Sequence, residues 1–167
     1  LRFGNSYFQL KNFRGCLREY SEGIKLIPDE KSFYLNIALC YYKESEIQRA
    51  IEYTKKALNI DDQYGKALYL LGLLHHTMKK YSNALPWYKK AYEIDKNNPK
   101  IIYNMGCIEF GDNRIDEGIK WVDKAFNFDK TQVITQMIKD PELTSVRKNA
   151  KFSNFLKDLR EREVVQR

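Results

Sequence analysis

The sequence predicts an all-α fold, a right-handed solenoid of antiparallel helix hairpins. Two observations lead to this prediction. Residues 65–98 contain two stretches whose apolar or small residues follow the i, i+3, i+4, i+7 spacing of one helix face. The same pattern recurs at intervals of 34 residues, and a repeat of that length made of two helices is typical of a solenoid.

Within this unit the sequence specifies how its two helices pack. The first stretch places Leu68, Leu71 and Gly72 on one face, and the second places Ala84 and Ala91 on its own face. Side chains no larger than a methyl group let two helix backbones approach, which a leucine would prevent. We therefore predict a helix hairpin with a close crossing.

Shifting this pattern by one period brings similar residues into register on both sides. They are Tyr34, Ile37, Ala38, Ala50 and Ala57 before the unit, and Ile102, Met105, Gly106, Gly118 and Ala125 after it. The predicted organisation is a truncated repeat 1 at 1–30, repeats 2, 3 and 4 at 31–64, 65–98 and 99–132, capping helices at 133–163 and a frayed tail at 164–167.

This register resembles the tetratricopeptide-repeat family, in which W-x2-L-G-x2-Y is followed by A, F, A and P at fixed offsets. The resemblance covers residues 1–132, with departures at the Trp and Tyr positions of the motif. The Trp position holds Tyr34, Leu68 and Ile102, and the Tyr position of the last two repeats holds His75 and Glu109. The resemblance implies a protein-interaction module whose first helices line a concave wall.

The period breaks after Gln132, and the remaining residues predict a cap. Asp140-Pro141 ends one short amphipathic helix, and Phe152, Phe155 and Leu159 mark another. The run DPELTSVRKNAKFSNFL is similar to the ending often found after repeats of this family, where D-P-x-L and F-x-x-L close the stack. A stack of repeats needs such a cover for its last apolar face.

The concave wall implied by the resemblance predicts a peptide-binding groove. Its residues are Asn5, Phe8, Leu35, Asn36, Leu39, Tyr42, Lys66, Tyr69, Leu70, Leu73, Lys100, Tyr103, Asn104 and Phe110. We expect another protein to bind there as an extended peptide or an amphipathic helix. Asn36 and Asn104 would hold its backbone through amide groups that both donate and accept, and Lys66 and Lys100 would favour acidic flanks.

Two alternatives compete with a free groove. In the first alternative, some of these side chains pack between neighbouring hairpins, as buried apolar residues do. In the other alternative the module is structural, and its groove is filled by a missing segment of its own protein or by a second copy, which would give a homo-oligomer.

A more specific ligand, the acidic tail of heat-shock chaperones, matches the sequence only in part. Family members that bind such tails use the groove residues K, N, N, K and R. Asn5, Asn36 and Lys66 match this set, but Leu1 and Leu70 stand where the first Lys and the Arg belong. Because two of the cations that would hold a carboxylate are missing, we rank this ligand below an apolar peptide.

The charge distribution disfavours binding of nucleic acid, and the motifs disfavour a catalytic function. The net charge of +7 lies mostly in residues 65–98 and in the tail, which predicts a solvated basic surface rather than a basic groove for nucleic acid or an anionic membrane. No nucleophile–base pair, phosphate loop or metal-ligand spacing is found, and the adjacent His75 and His76 point about 100° apart on a helix. We expect neither enzyme activity, nor a cofactor, nor a metal site.

Cysteine usage and the ends of the chain give weak expectations about context. Cys16, Cys40 and Cys107 have no disulfide or zinc spacing, so we interpret them as small buried apolar residues in a reducing compartment. The localisation is open, with the cytoplasm favoured. No apolar run is long enough to cross a membrane. Since the chain opens at Leu1 inside a repeat, we expect it to be a fragment.

Overall fold

The computed structural model of the chain describes residues 13–164. The predicted groove residues Asn5 and Phe8 lie outside these described residues. The chain divides into two compact units, Leu1–Lys79 and Lys80–Arg167. Within the described range the regular secondary structure is entirely helical, which confirms the predicted fold class.

Unit 1 contains successive antiparallel helices that pack on their neighbours in sequence. They are α1 (Phe13–Leu26), α2 (Lys31–Lys43), α3 (Ile47–Ile60) and α4 (Gly65–Thr77). Helix α2 packs against both α1 and α3, and α3 packs in turn against α4. The first helices of two repeats, α2 and α4, thus share α3 as their common neighbour.

Unit 2 continues the pattern and adds the C-terminal elements. Its helices are α5 (Tyr81–Ile94), α6 (Pro99–Gly111), α7 (Ile115–Phe126), α8 (Lys130–Lys139) and α9 (Ala150–Val164), with 3-10 turns at Pro141–Thr144 and Val146–Lys148. Helix α6 packs on α5 and α7, and α9 packs on α7 and α8. The helices α2, α4 and α6 begin 34 residues apart, as do α3, α5 and α7.

Small side chains determine how closely the two helices of a hairpin approach each other. Ala50 in α3 and Ala84 in α5 are fully buried at equivalent positions. The third equivalent position is Gly118, where an added Cβ would lie 2.3 Å from Cδ1 of Phe110 in α6. Since real Cβ atoms do not approach other heavy atoms so closely, α6 and α7 can pack in this way only with glycine at this position.

The turn inside each hairpin ends with one residue in the left-handed conformation. Ser45, Lys79 and Asn113 have φ values of 62°, 57° and 60° and lie one period apart. Around Asn113, the Arg114 N–H donates to the Glu109 carbonyl at 2.8 Å, the 6→1 bond of a Schellman motif. This conformation strains a residue that carries a Cβ, although asparagine tolerates it better than lysine.

The C-terminal helix covers the apolar end of unit 2. Phe152 of α9 is fully buried, and its ring lies edge-on to Phe110 with 5.1 Å between centroids. Arg162 pairs with Asp123 at 2.6 Å and also lies over the Phe126 ring. Because α9 carries apolar side chains into the core and charged ones around it, it can close the last hairpin against water.

The expectation about cysteines is wrong for two of them. Cys16 in α1 and Cys40 in α2 form a disulfide, with Cα atoms 6.7 Å apart, whereas Cys107 is free and buried. The signal was present in the repeat register. Cys16 stands one period before Ala50, at the small-residue position of its helix, so its short side chain lies against the neighbouring hairpin and reaches Cys40.

Relieving the strain at one of these turns should stabilise the protein. Lys79→Gly is expected to raise the free energy of unfolding by about 0.5–1 kcal/mol, because glycine adopts a positive φ without a Cβ clash. Asn113→Gly is the matched control and should change it by much less. Denaturant unfolding followed by circular dichroism measures both, and a Lys79→Gly protein no more stable than wild type would contradict the strain.

The disulfide should contribute measurably to stability. Its cysteines are 24 residues apart, and opening a loop of that size by reduction is expected to cost about 3 kcal/mol through the entropy of the unfolded chain. Thermal unfolding with and without dithiothreitol tests this, and a Cys16→Ala/Cys40→Ala protein should lose the response to the reductant. Identical curves for the wild type in both buffers would refute the role assigned to the disulfide.

Candidate interaction surface

Each first helix of unit 1 contains a stripe of side chains that are partly open to solvent. On α2 the stripe contains Asn36, Leu39 and Tyr42, all half-buried. Helix α4 carries a second one, formed by exposed Lys66 and by Tyr69 and Leu73, which are half-buried. Both helices pack against α3, which makes them neighbours of one common helix. We call these six residues the α2–α4 surface.

The chemistry of this surface is apolar and aromatic with two polar groups of different kinds. Leu39, Tyr69 and Leu73 present hydrocarbon and ring atoms that gain free energy when they leave water. The Asn36 amide offers both a donor and an acceptor, and the Lys66 ammonium offers a positive charge. Such a combination suits a chain segment that brings apolar side chains together with its own backbone polar groups.

Two of the predicted unit-1 groove residues are core residues instead. Leu35 is 5% exposed and Leu70 is 2% exposed, so neither side chain is available to a partner. Each lies next to a stripe residue on its helix, about 100° away around the axis. The buried face extends around these helices further than the repeat pattern indicates, and it includes both leucines.

In unit 2 the predicted groove is wrong for its two aromatic residues, Tyr103 and Phe110. Tyr103 is 4% exposed and Phe110 is 2% exposed, and Phe110 packs on Phe152 of the C-terminal helix. The polar residues of the prediction are less enclosed: Asn104 is half-buried and Lys100 is exposed. The part of the groove predicted on α6 is therefore filled by the protein itself.

The segment that follows α8 covers α6 through a buried polar cluster. The Tyr103 hydroxyl donates to Oδ2 of Asp140 at 3.3 Å, and the Cys107 Sγ lies 3.9 Å from the same oxygen. Arg147 donates to the carbonyls of Met137 and Asp140 at 2.9 and 2.8 Å. These contacts attach the segment around Asp140 to α6, so that the protein's own chain covers Tyr103 and Cys107.

Burial keeps the two donors of this cluster protonated. Loss of solvent raises the pKa of the Tyr103 hydroxyl far above its usual value, and the neighbouring Cys107 and Asp140 raise it further. Burial likewise raises the pKa of the Cys107 thiol, with the Asp140 carboxylate adding to the effect. The thiol is therefore a structural hydrogen-bond donor and is poorly suited to act as a nucleophile, which requires the thiolate.

One charged residue lies buried where the resemblance implies a tyrosine. Glu109 is 7% exposed, and its carboxylate pairs with the Arg114 guanidinium across the turn between α6 and α7. Arg114 also pairs with Asp112 at 3.0 Å. The pair was not predicted from the sequence, although a carboxylate in an apolar helix face needs a cation nearby and Arg114 is the first one after it.

Metal ligands or a membrane-spanning helix would indicate other classes of function. Residues 13–164 contain no group of three or more His, Cys, Asp or Glu side chains arranged to hold a metal ion. In the same range, no helix combines the length and the apolar character needed to cross a membrane.

Comparison with known proteins identifies the type of repeat in one segment of the chain. The tetratricopeptide-repeat profile matches residues 29–97, the region that contains α2, α3, α4 and α5. Human sperm-associated antigen 1 (Homo sapiens) is 36% identical over 78 residues, which are 47% of this chain and 8% of that protein. The chain therefore spans only a small part of the length of this relative.

Solved structures agree on the fold at lower identity. A crystal structure of MamA superposes with a TM-score of 0.77 and 18% identity, covering 98% of this chain and 95% of that one. The first TPR of Spaghetti (RPAP3), bound to the HSP90 peptide SRMEEVD, gives a TM-score of 0.62 and 22% identity over 64% of this chain and 86% of that one. At these identities the likeness establishes the fold alone. The profile match identifies residues 29–97 as tetratricopeptide repeats, and the hairpins described above have the fold of these structures.

Proposed function

We propose that this chain is a protein-interaction module whose α2–α4 surface holds an extended peptide or an amphipathic helix of another protein. The observation that carries the proposal is the pair of half-exposed stripes on α2 and α4, which belong to one compact unit. Apolar side chains that remain partly in water on successive first helices are what a peptide ligand can bury.

Each residue of the surface has a distinct role in the proposed complex. Leu39, Leu73 and the Tyr69 ring receive apolar side chains of the partner, which supplies most of the binding free energy. Asn36 hydrogen-bonds to the partner's backbone, which positions the segment without reading its sequence. Lys66 selects a partner with a carboxylate beside its apolar residues.

The covered face of α6 supports a division of roles between the first helices. There, residues 140–147 occupy the positions that the α2–α4 surface leaves open, and the Asp140 contacts with Tyr103 hold them in place. We therefore assign the α6 face to the stability of unit 2 and restrict ligand binding to unit 1. The rival idea, that a second copy or another segment of the protein fills the groove, then concerns α2 and α4 alone.

A chaperone tail is a poor fit to the proposed surface. The TPR of Spaghetti (RPAP3) holds the acidic HSP90 peptide SRMEEVD, and this chain has Asn36 and Lys66 in common with the family's tail-binding residues. However, the position of the arginine is Leu70, which is buried. We therefore expect a synthetic SRMEEVD peptide to bind weakly, with no dependence on Leu39.

The test is capture of partners from a native extract by the whole chain and by a Leu39→Glu/Tyr69→Glu variant. We expect the variant to lose its partners by about tenfold or more, since two charges would be placed where apolar groups must leave water. Leu26→Glu/Ile60→Glu is the matched control, because both residues are exposed apolar side chains of unit 1 outside the surface. It should retain capture.

Two further measurements make the test decisive. Circular dichroism establishes that each variant is folded, and Asn36→Ala/Lys66→Glu changes only the polar groups, so it should weaken capture without affecting the core. Unchanged capture by the folded Leu39→Glu/Tyr69→Glu protein would reject the proposal. A mass that rises with concentration in light scattering, and falls in that variant, would instead establish a second copy as the occupant.

A further inference from the structure

The outer helices of unit 2 contain carboxylates that are already neutralised by cations. No Asp or Glu occurs between Asp62 and Glu93, and every acidic residue of α5 and α7 forms an ion pair. These pairs are Glu93–Lys96, Asp116–Lys151, Glu117–Lys120 and Asp123–Arg162. Any positive charge left over on these helices therefore has no counter-ion on them.

Three lysines of α5 and α7 take no part in these ion pairs. Lys89 and Lys90 of α5 and Lys124 of α7 are exposed and form no ion pair with any residue in the range 13–164. Unlike a mobile surface lysine, Lys124 is held in place, because its ammonium donates to the Tyr92 hydroxyl. The same ammonium lies 4.8 Å from the Tyr92 ring centroid and 5.8 Å from that of Trp121.

Aromatic rings join these lysines into one surface across the two helices. Tyr92 of α5 and Trp121 of α7 pack edge-on with 5.5 Å between their centroids. Lys89 precedes Tyr92 by three residues, so it is a neighbour of Tyr92 on the same side of α5. Lys90 follows on the adjoining side. We call Lys89, Lys90, Tyr92, Trp121 and Lys124 the basic aromatic face.

The repeats themselves show what is missing from this face. One and two periods before Trp87–Lys90 and Trp121–Lys124, in which the lysine ammonium lies over the ring, stands the pair Tyr53–Lys56 of α3. There the Lys56 ammonium lies 4.3 Å from the ring centroid and also pairs with Glu52 at 2.7 Å. One and two periods later the position of Glu52 is Pro86 and Lys120. The internal counter-ion found in repeat 2 is thus absent from α5 and α7.

We infer that the basic aromatic face docks an acidic segment of a partner protein. Carboxylates of that segment take the place that Glu52 fills in α3, pairing with Lys90 and Lys124, and a further carboxylate pairs with the neighbouring Lys89. The hydrocarbon parts of its side chains lie on the Tyr92 and Trp121 rings. This surface belongs to the second helices of unit 2, so it is independent of the function proposed for α2 and α4.

The neighbouring carboxylates favour a short acidic protein segment over a nucleic acid. Glu93, Glu117 and Asp123 lie on the same two helices as the lysines. Although each is paired, a continuous phosphate backbone crossing the helices would have to pass close to them. A peptide can place its carboxylates at the lysines and neutral residues elsewhere, which avoids that repulsion.

The experiment measures binding of a fluorescein-labelled deca-glutamate peptide to the whole chain by fluorescence anisotropy, at about 50 mM salt to limit screening. Lys89→Glu/Lys90→Glu should weaken binding by about tenfold or more, because attraction at two positions becomes repulsion. The matched control is Lys139→Glu/Lys148→Glu, which changes the net charge equally at exposed sites of unit 2. It should weaken binding by less than about twofold.

Further variants test whether binding of the peptide depends on this face. Lys89→Arg/Lys90→Arg keeps both charges and should bind as the wild type does, and Leu39→Glu/Tyr69→Glu should have no more effect than the charge control. Absence of deca-glutamate binding to the wild type, or equal weakening by the two Lys→Glu variants, overturns the inference. Tighter binding of a ten-nucleotide single-stranded DNA than of deca-glutamate overturns the choice of partner.

Discussion

The constraint on which this structure depends is the size of the side chains where the two helices of a hairpin cross. At Gly118 there is no room for a single methyl group beside Phe110, and at Gly106 an added Cβ would meet Val122 at 2.6 Å. Ala50 satisfies the same requirement in the hairpin of α2 and α3. Because this close crossing fixes which side of each helix is buried, it also fixes which side of each first helix is left for other uses.

The same first-helix positions then meet different surroundings in the two units. In unit 1, Leu39, Tyr69 and Leu73 stay half-exposed, and we assign them to a partner. In unit 2, Asp140 receives the Tyr103 hydroxyl, and Phe152 packs on Phe110. A partly open surface and a capped end thus arise from the same type of hairpin, and the segment that follows the last repeat covers only the second.

The sequence predicts the helices well because they follow from local rules repeated in register. The period, the small residues such as Ala50 and the stop at Asp140-Pro141 are all readable without a structure. The burial of Tyr103 and Phe110 is not, since it depends on where the segment after α8 and helix α9 dock, and docking is decided by contacts distant in sequence. The Cys16–Cys40 bond escaped prediction for a different reason, because the usual spacing rules for disulfides take no account of the repeat register in which Cys16 takes the place of Ala50.

The most direct test of the packing constraint is the free energy of unfolding of a Gly118→Ala protein. On helix propensity alone, alanine at a helical glycine should stabilise by about 1 kcal/mol. The close crossing predicts the opposite sign, a loss of about 1–2 kcal/mol, because the added methyl group must displace the Phe110 ring from a filled core. Denaturant unfolding distinguishes the two results. A variant more stable than the wild type would contradict the constraint.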